Sequence, residues 1–127
     1  MKEVVRLTKK ARDNTRTLAV ALSSPTHPVT GEPMFELDKD QMEIGMGVHG
    51  EAGTYQGEKL SASETMEKVA EEVIEDKPYE SGDEVLVLLN GSGATTLMEL
   101  HILYNKLEKI LDNRGISVYK AELGDFI

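Results

Sequence analysis

The chain has no cysteine and no tryptophan, and its 127 residues include only two phenylalanines. Without thiols it can build neither a disulfide framework nor a thiolate metal site. That usage fits a cytoplasmic protein. Cations are scarce as well: 14 Lys and Arg stand against 23 Asp and Glu, a net charge of -9. Phosphate binding needs a basic face, so this balance argues against nucleic acid as a partner. It argues equally against an anionic membrane surface. No apolar run approaches the length of a membrane span. The segment from Met1 to Arg16 lacks the apolar stretch of a signal peptide, and Glu3 and Asp13 count against a transit peptide. Among His27, His49 and His101 no two stand at metal-ligand spacing, so no metal site is expected. There is no internal repeat and no low-complexity tract.

The informative stretch runs from Met42 to Gly53. Ile44, Met46 and Val48 alternate at strand periodicity, with Gly45 and Gly47 between them. A glycine on a strand face often marks the close approach of a ligand or another backbone. Gly50 and Gly53 then break the strand, which presents His49 at its tip with little bulk around it. Imidazole is the side chain best poised to act as a nucleophile or base near neutral pH. Glu51 is positioned to orient or charge-balance it, although an exposed loop carboxylate is as good a reading. The methionines at 42, 46, 66 and 98 read as core packing, and His27 and His101 as structural or surface residues.

Elsewhere the pattern is that of an α/β chain. Lys2 to Leu22 reads as one helix, with no Pro or Gly before Ser23-Ser24-Pro25 stops it. Pro25, Pro28, Gly31 and Pro33 make a loop. Met34 to Leu37 and Glu43 to His49 are expected strands, and Gly50 to Lys59 a polar, glycine-rich loop. Ser61 with Glu64 forms a capping box ahead of a helix whose stripe is Met66, Val69, Ala70, Val73 and Ile74. Glu71, Glu72, Glu75 and Asp76 form its solvated face. Val85 to Leu89 is continuously apolar, as in a strand covered on both faces. Asn90-Gly91-Ser92-Gly93 leads into a third helix with stripe Leu97, Leu100, Tyr104, Leu107 and Leu111, ended by Gly115. Residues Asn90 to Thr96 offer amides that can receive an anion, or a tight turn that lets the helix pack. The lysine of a Walker loop is absent. Ile116 to Leu123 is a final strand. If parallel to the Val85 strand and in one sheet with it, the pair is joined by a right-handed crossover.

Several of these segments together resemble the substrate-binding subunit of dihydroxyacetone kinase, in its C-terminal part. They are Val20-Ala21-Leu22-Ser23-Ser24, Phe35-Glu36-Leu37, Met42 through Glu51, Ser81-Gly82-Asp83, Asn90-Gly91-Ser92-Gly93-Ala94-Thr95, Met98-Glu99-Leu100 and Tyr104. The resemblance implies an α/β fold with a mixed sheet and flanking helices. It implies that residues 1-127 are a partial C-terminal domain, a fragment of a larger two-domain subunit. The abrupt ends of the pattern agree. It implies that His49 is the catalytic and substrate-binding residue, forming a covalent hemiaminal with the carbonyl of dihydroxyacetone or a similar small ketose. ATP/ADP with Mg belongs, by the same resemblance, to a nucleotide-binding kinase subunit or domain, and this fragment binds no cofactor and is inactive alone. A homodimer is implied too. Three residues depart from the family pattern. Ala52 and Thr96 stand where Pro is common, and His101 where an aromatic is frequent. These departures fit a subgroup acting on a four-carbon ketose, or a non-catalytic ketose-binding paralogue acting as a regulator or coactivator. A purely structural oligomerisation module is the remaining alternative.

Overall fold

The computed structural model describes residues 1–47, 51–77 and 79–126. The element order is α1 (Lys2–Asp13), β1 (Val20–Ala21), β2 (Gln41–Ile44), β3 (Tyr55–Glu58), α2 (Ala62–Asp76), β4 (Glu84–Asn90), α3 (Leu97–Asn113) and β5 (Ser117–Gly124). The expected α/β class is the observed one. Its antiparallel and parallel strands form two sheets. β1, β2 and β3 make an antiparallel sheet in that order, and β4 pairs with β5 in parallel.

The first helix is shorter than its periodicity suggests. It ends at Asp13 because the next two side chains take its last carbonyls. The Asn14 side-chain amide donates to the Lys10 carbonyl at 2.7 Å, and the Thr15 hydroxyl donates to that of Ala11 at 2.8 Å. Such side chains offer the backbone an alternative to continued helix. The chain then extends, and Val20 and Ala21 pair with Ile44 and Glu43. No residue of α1 is buried.

Met34 to Leu37 forms no strand; the one pairing nearby is an isolated bridge between Thr26 and Pro33. Conversely, Tyr55–Glu58, read as loop, is β3, in register with Glu58, Gly57, Gln56 and Tyr55 opposite Gln41, Met42, Glu43 and Ile44. Its four residues alternate half-buried and exposed. Pairing with β2 outweighs the weak strand propensity of Gly57 and Glu58, because β-propensity depends strongly on context.

The second half is a βαβ unit with a further helix packed on it. Met66, Ala70, Ile74, Leu111 and Ile116 form the core, flanked by Val85, Val87, Leu89, Leu103, Leu107, Ile110 and Val118. The expected capping box opens α2: the Ser61 hydroxyl accepts from the Glu64 amide, and the Glu64 carboxylate accepts from that of Ser61. Strand β4 is covered on one face only. Val85, Val87 and Leu89 face the core, whereas Leu86 and Leu88 are 73% and 55% exposed. An apolar run reports that both faces suit burial, not what buries them.

Candidate functional site

Strand β2 delivers the motif. Met42 and Ile44 are fully buried, and Glu43 between them is only 6% exposed. The strand stops at Ile44, earlier than expected. Gly45 has φ +81°, a left-handed conformation open to glycine at little cost. Its N–H donates to the Ala19 carbonyl at 2.7 Å, so the turn is pinned to the segment leading into β1.

The limbs on either side of His49 are then tied together. The Gly47 N–H donates to the Glu51 carbonyl at 2.9 Å, and the Thr54 N–H to the Ile44 carbonyl at 2.8 Å. The Gly53 N–H donates to the Glu43 carboxylate at 2.6 Å. The Thr54 hydroxyl reaches across to α2, where it donates to the Glu72 carboxylate at 2.8 Å. A Cβ on Gly53 would collide with the Ile44 carbonyl oxygen, and one on Gly47 with the Glu51 carboxylate. Glycine therefore allows two limbs to touch, and Glu51 lies over Gly47. His49 itself, the predicted catalytic and substrate-binding residue, lies outside the described residues.

The other motif residues resolve differently. After β4, the amides of Gly91, Gly93, Ala94, Thr95 and Thr96 are engaged internally. Gly91 donates to the Gly124 carbonyl (2.9 Å), Gly93 to the Asp125 carboxylate (2.8 Å), and Ala94 and Thr95 to the Gly91 carbonyl (3.3 and 3.1 Å). The Thr96 amide donates to the Glu99 carboxylate at 2.8 Å, within a second capping box that opens α3. The turn is a structural joint between β4, α3 and the end of β5. His27 is structural: its Nδ1 accepts from the amides of Val29 and Thr30 at 3.3 and 3.2 Å. His101 is exposed on α3. Met42 and Met66 are core residues as expected, but Met98 is 72% exposed. Among the described residues no three His, Cys, Asp or Glu side chains group to hold a metal. Also among them, no helix is long and apolar enough to cross a membrane.

Two pKa perturbations accompany the helix starts. The Glu64 and Glu99 carboxyls are held below the usual glutamate range, first by the hydroxyls of Ser61 and Thr96 and then by the backbone amides of the same residues. On α3 the Tyr104 phenol is raised, by desolvation first and then by the charge and hydrogen bond of Glu108, to which its hydroxyl donates at 3.2 Å.

Sequence reasoning missed Glu43, Thr54 and Glu72 as parts of this site. A glutamate between two apolar strand residues reads as solvent-facing, and Glu72 lay in a run taken for a solvated face. Only the return of the loop over the sheet buries the first, and only the crossing of Thr54 to α2 engages the second.

With this geometry established, comparison with known proteins places the chain. The family model described as the Dak1 domain matches residues 1–127, the whole sequence. The chain belongs to the Dak1 family. It is 36% identical over 127 residues to the dihydroxyacetone-binding subunit DhaK of PTS-dependent dihydroxyacetone kinase 1 from Listeria innocua serovar 6a, covering 100% of this chain and 39% of that protein. It is 33% identical over 129 residues to an L-erythrulose 1-kinase of Mycolicibacterium smegmatis, covering 98% of this chain and 23% of the relative. Among solved Dak-type structures, a chain described as a dihydroxyacetone kinase operon co-activator superposes with a TM-score of 0.76 at 22% identity, covering 94% of this chain and 38% of the other. At that identity the likeness speaks to fold alone. This Dak1 chain spans 36 to 39% of the length of the DhaK relatives from Listeria and Lactococcus lactis.

Proposed function

We propose that the full-length protein phosphorylates dihydroxyacetone or a similar short-chain ketose, with this segment as part of its C-terminal domain and His49 as the residue that captures the substrate. The observation that carries the reading is the match of the whole chain to the Dak1 family, whose motif here occupies a loop tied at both limbs. The chemistry is self-consistent. The unprotonated nitrogen of a neutral imidazole adds to the carbonyl carbon and the C=O pair moves to oxygen. That oxygen gains a proton, the other ring nitrogen loses one, and a neutral, reversible hemiaminal results. The adduct fixes the ketose and leaves a terminal hydroxyl free to accept phosphate. Positioning of this kind is a large share of phosphoryl-transfer catalysis.

In this reading ATP/ADP with Mg, or a phosphotransferase-system donor, acts through a separate subunit or domain. The segment alone is inactive, and the working assembly is a cytoplasmic homodimer. Glycerol has no carbonyl and is rejected. In full-length protein His49→Ala should abolish the adduct. 13C NMR with dihydroxyacetone labelled at its carbonyl carbon would follow conversion of the ketone carbon to a tetrahedral one. An adduct that survives the change sinks the assignment, as does one on His27 or His101.

A regulatory paralogue that binds the ketose without turnover is the second reading, since a co-activator shares this fold. Phosphorylated product formed by the full-length protein with its kinase partner and donor decides for the enzyme. An adduct without turnover decides for the regulator.

A further inference from the structure

The described residues contain one buried charged side chain in the antiparallel sheet, and it belongs to β2, the strand that precedes His49 in the sequence. Glu43 is 6% exposed, flanked by Met42 and Ile44 at 0%. Burying a carboxylate is costly unless it is hydrogen-bonded, so a position with a purely packing role favours an apolar side chain. The partner at Glu43 is specific: its Oε1 accepts from the Gly53 N–H at 2.6 Å. Gly53 lies on the outgoing limb, where it passes so close to the Ile44 carbonyl that a Cβ would collide. One residue on, the Thr54 N–H returns to that same carbonyl at 2.8 Å. The carboxylate thus ties the incoming strand to the outgoing limb at the point where the loop closes. A charge-assisted hydrogen bond is shorter and stronger than a neutral one, which suits it to hold a limb with no side chain of its own.

We propose that Glu43 is a positioning residue for ketose capture: its carboxylate holds the Gly53 amide and so fixes the two described limbs that flank His49 in the sequence. The inference rests on the hemiaminal reading above. Glu43 touches neither substrate nor reacting atoms in this scheme. The reach of its acceptor oxygen decides whether the bond forms, and its charge adds to the bond's strength. Glu43→Gln keeps an oxygen at the same distance along the chain. Glu43→Asp keeps the charge but withdraws it by one methylene.

The test uses the full-length protein, labelled dihydroxyacetone as probe, and thermal melts to confirm folding. Gln should retain apparent affinity for the adduct within about threefold. Asp should lose about tenfold or more, the scale expected when a hydrogen bond to a charged group is broken. Slow hydrogen exchange at the Gly53 amide in the unaltered protein, read by NMR, is expected whatever the variants do. Wild-type adduct formation by Asp overturns the proposal. So does equal loss in Gln and Asp, or fast exchange at Gly53. If His49→Ala still forms the adduct, the hemiaminal reading fails instead. If His49→Ala abolishes it while Asp behaves as wild type, only the positioning role fails.

Discussion

The two halves of the chain are held by different forces. In the second half, helices α2 and α3 close over β4 and β5, and the core residues Met66, Ala70, Ile74, Leu111 and Ile116 meet there. Among the described residues of the first half the fully buried hydrophobics are Met42 and Ile44, neighbours on one short strand, and order comes from backbone amides and glycines. Helix α2 joins the two. Its Glu72 accepts from the Thr54 hydroxyl, Lys68 Nζ stands 4.9 Å from the centre of the Tyr55 ring, and Asp76 pairs with Arg16. The difference teaches where each half is vulnerable. Side-chain volume governs the packed half, whereas close backbone approach governs the loop that bears the motif.

The strongest way to break this contrast is Gly53→Ala. The added methyl meets the Ile44 carbonyl, which is backbone and cannot turn aside. Ketose binding by full-length protein should be lost, while the packed half stays folded. Calorimetry for binding and circular dichroism for helix content would check it. Normal binding would mean the loop closes in some other way.

Next comes Ile116→Ala, in the packed half. Ile116 is 2% exposed, and truncations of this kind cost about 2–5 kcal/mol. Denaturant unfolding should show that loss, with the hemiaminal still forming under native conditions. A loss below about 1 kcal/mol would show that the site collapses to fill the space.

Smaller effects test the helix starts. Ser61→Ala and Thr96→Ala each remove a hydroxyl that accepts from the third helical amide, and each should cost about 1 kcal/mol. Equal unfolding midpoints in wild type and variants would mean the helices are held by packing alone.

The smallest effect is a pH dependence at the same places. Glu64 and Glu99 have lowered pKa values in the folded state. Their contribution is therefore present above the unfolded glutamate pKa and is lost as pH falls through the lower, folded one. Melts between pH 7 and 3 should show an acid-dependent decline that is reduced in Glu64→Gln with Glu99→Gln. Because both groups are exposed, solvent screens the effect, and added salt should shrink it further.

The mixed α/β class, α2, α3, β4 and β5 were all legible, because strong periodicity and end signals coincide there. Ser61-x-x-Glu64 announced one helix. Thr96-x-x-Glu99 announces another by the same rule and went unread behind the glycine turn before it. The end of α1 was not legible from Gly or Pro, because Asn14 and Thr15 end it with side-chain hydrogen bonds instead.

By itself, then, the sequence determined the elements of the packed half, the family resemblance and the glycine-framed motif around His49, since periodicity and local motifs are properties of neighbouring residues. Only the tertiary structure decided that Tyr55–Glu58 is a strand, that Leu86 and Leu88 face outward, and that Glu43 is buried on the Gly53 amide. Each of these depends on which distant segment lies alongside, and pairing across a sheet or the closing of a loop leaves no periodic trace in the residues that take part.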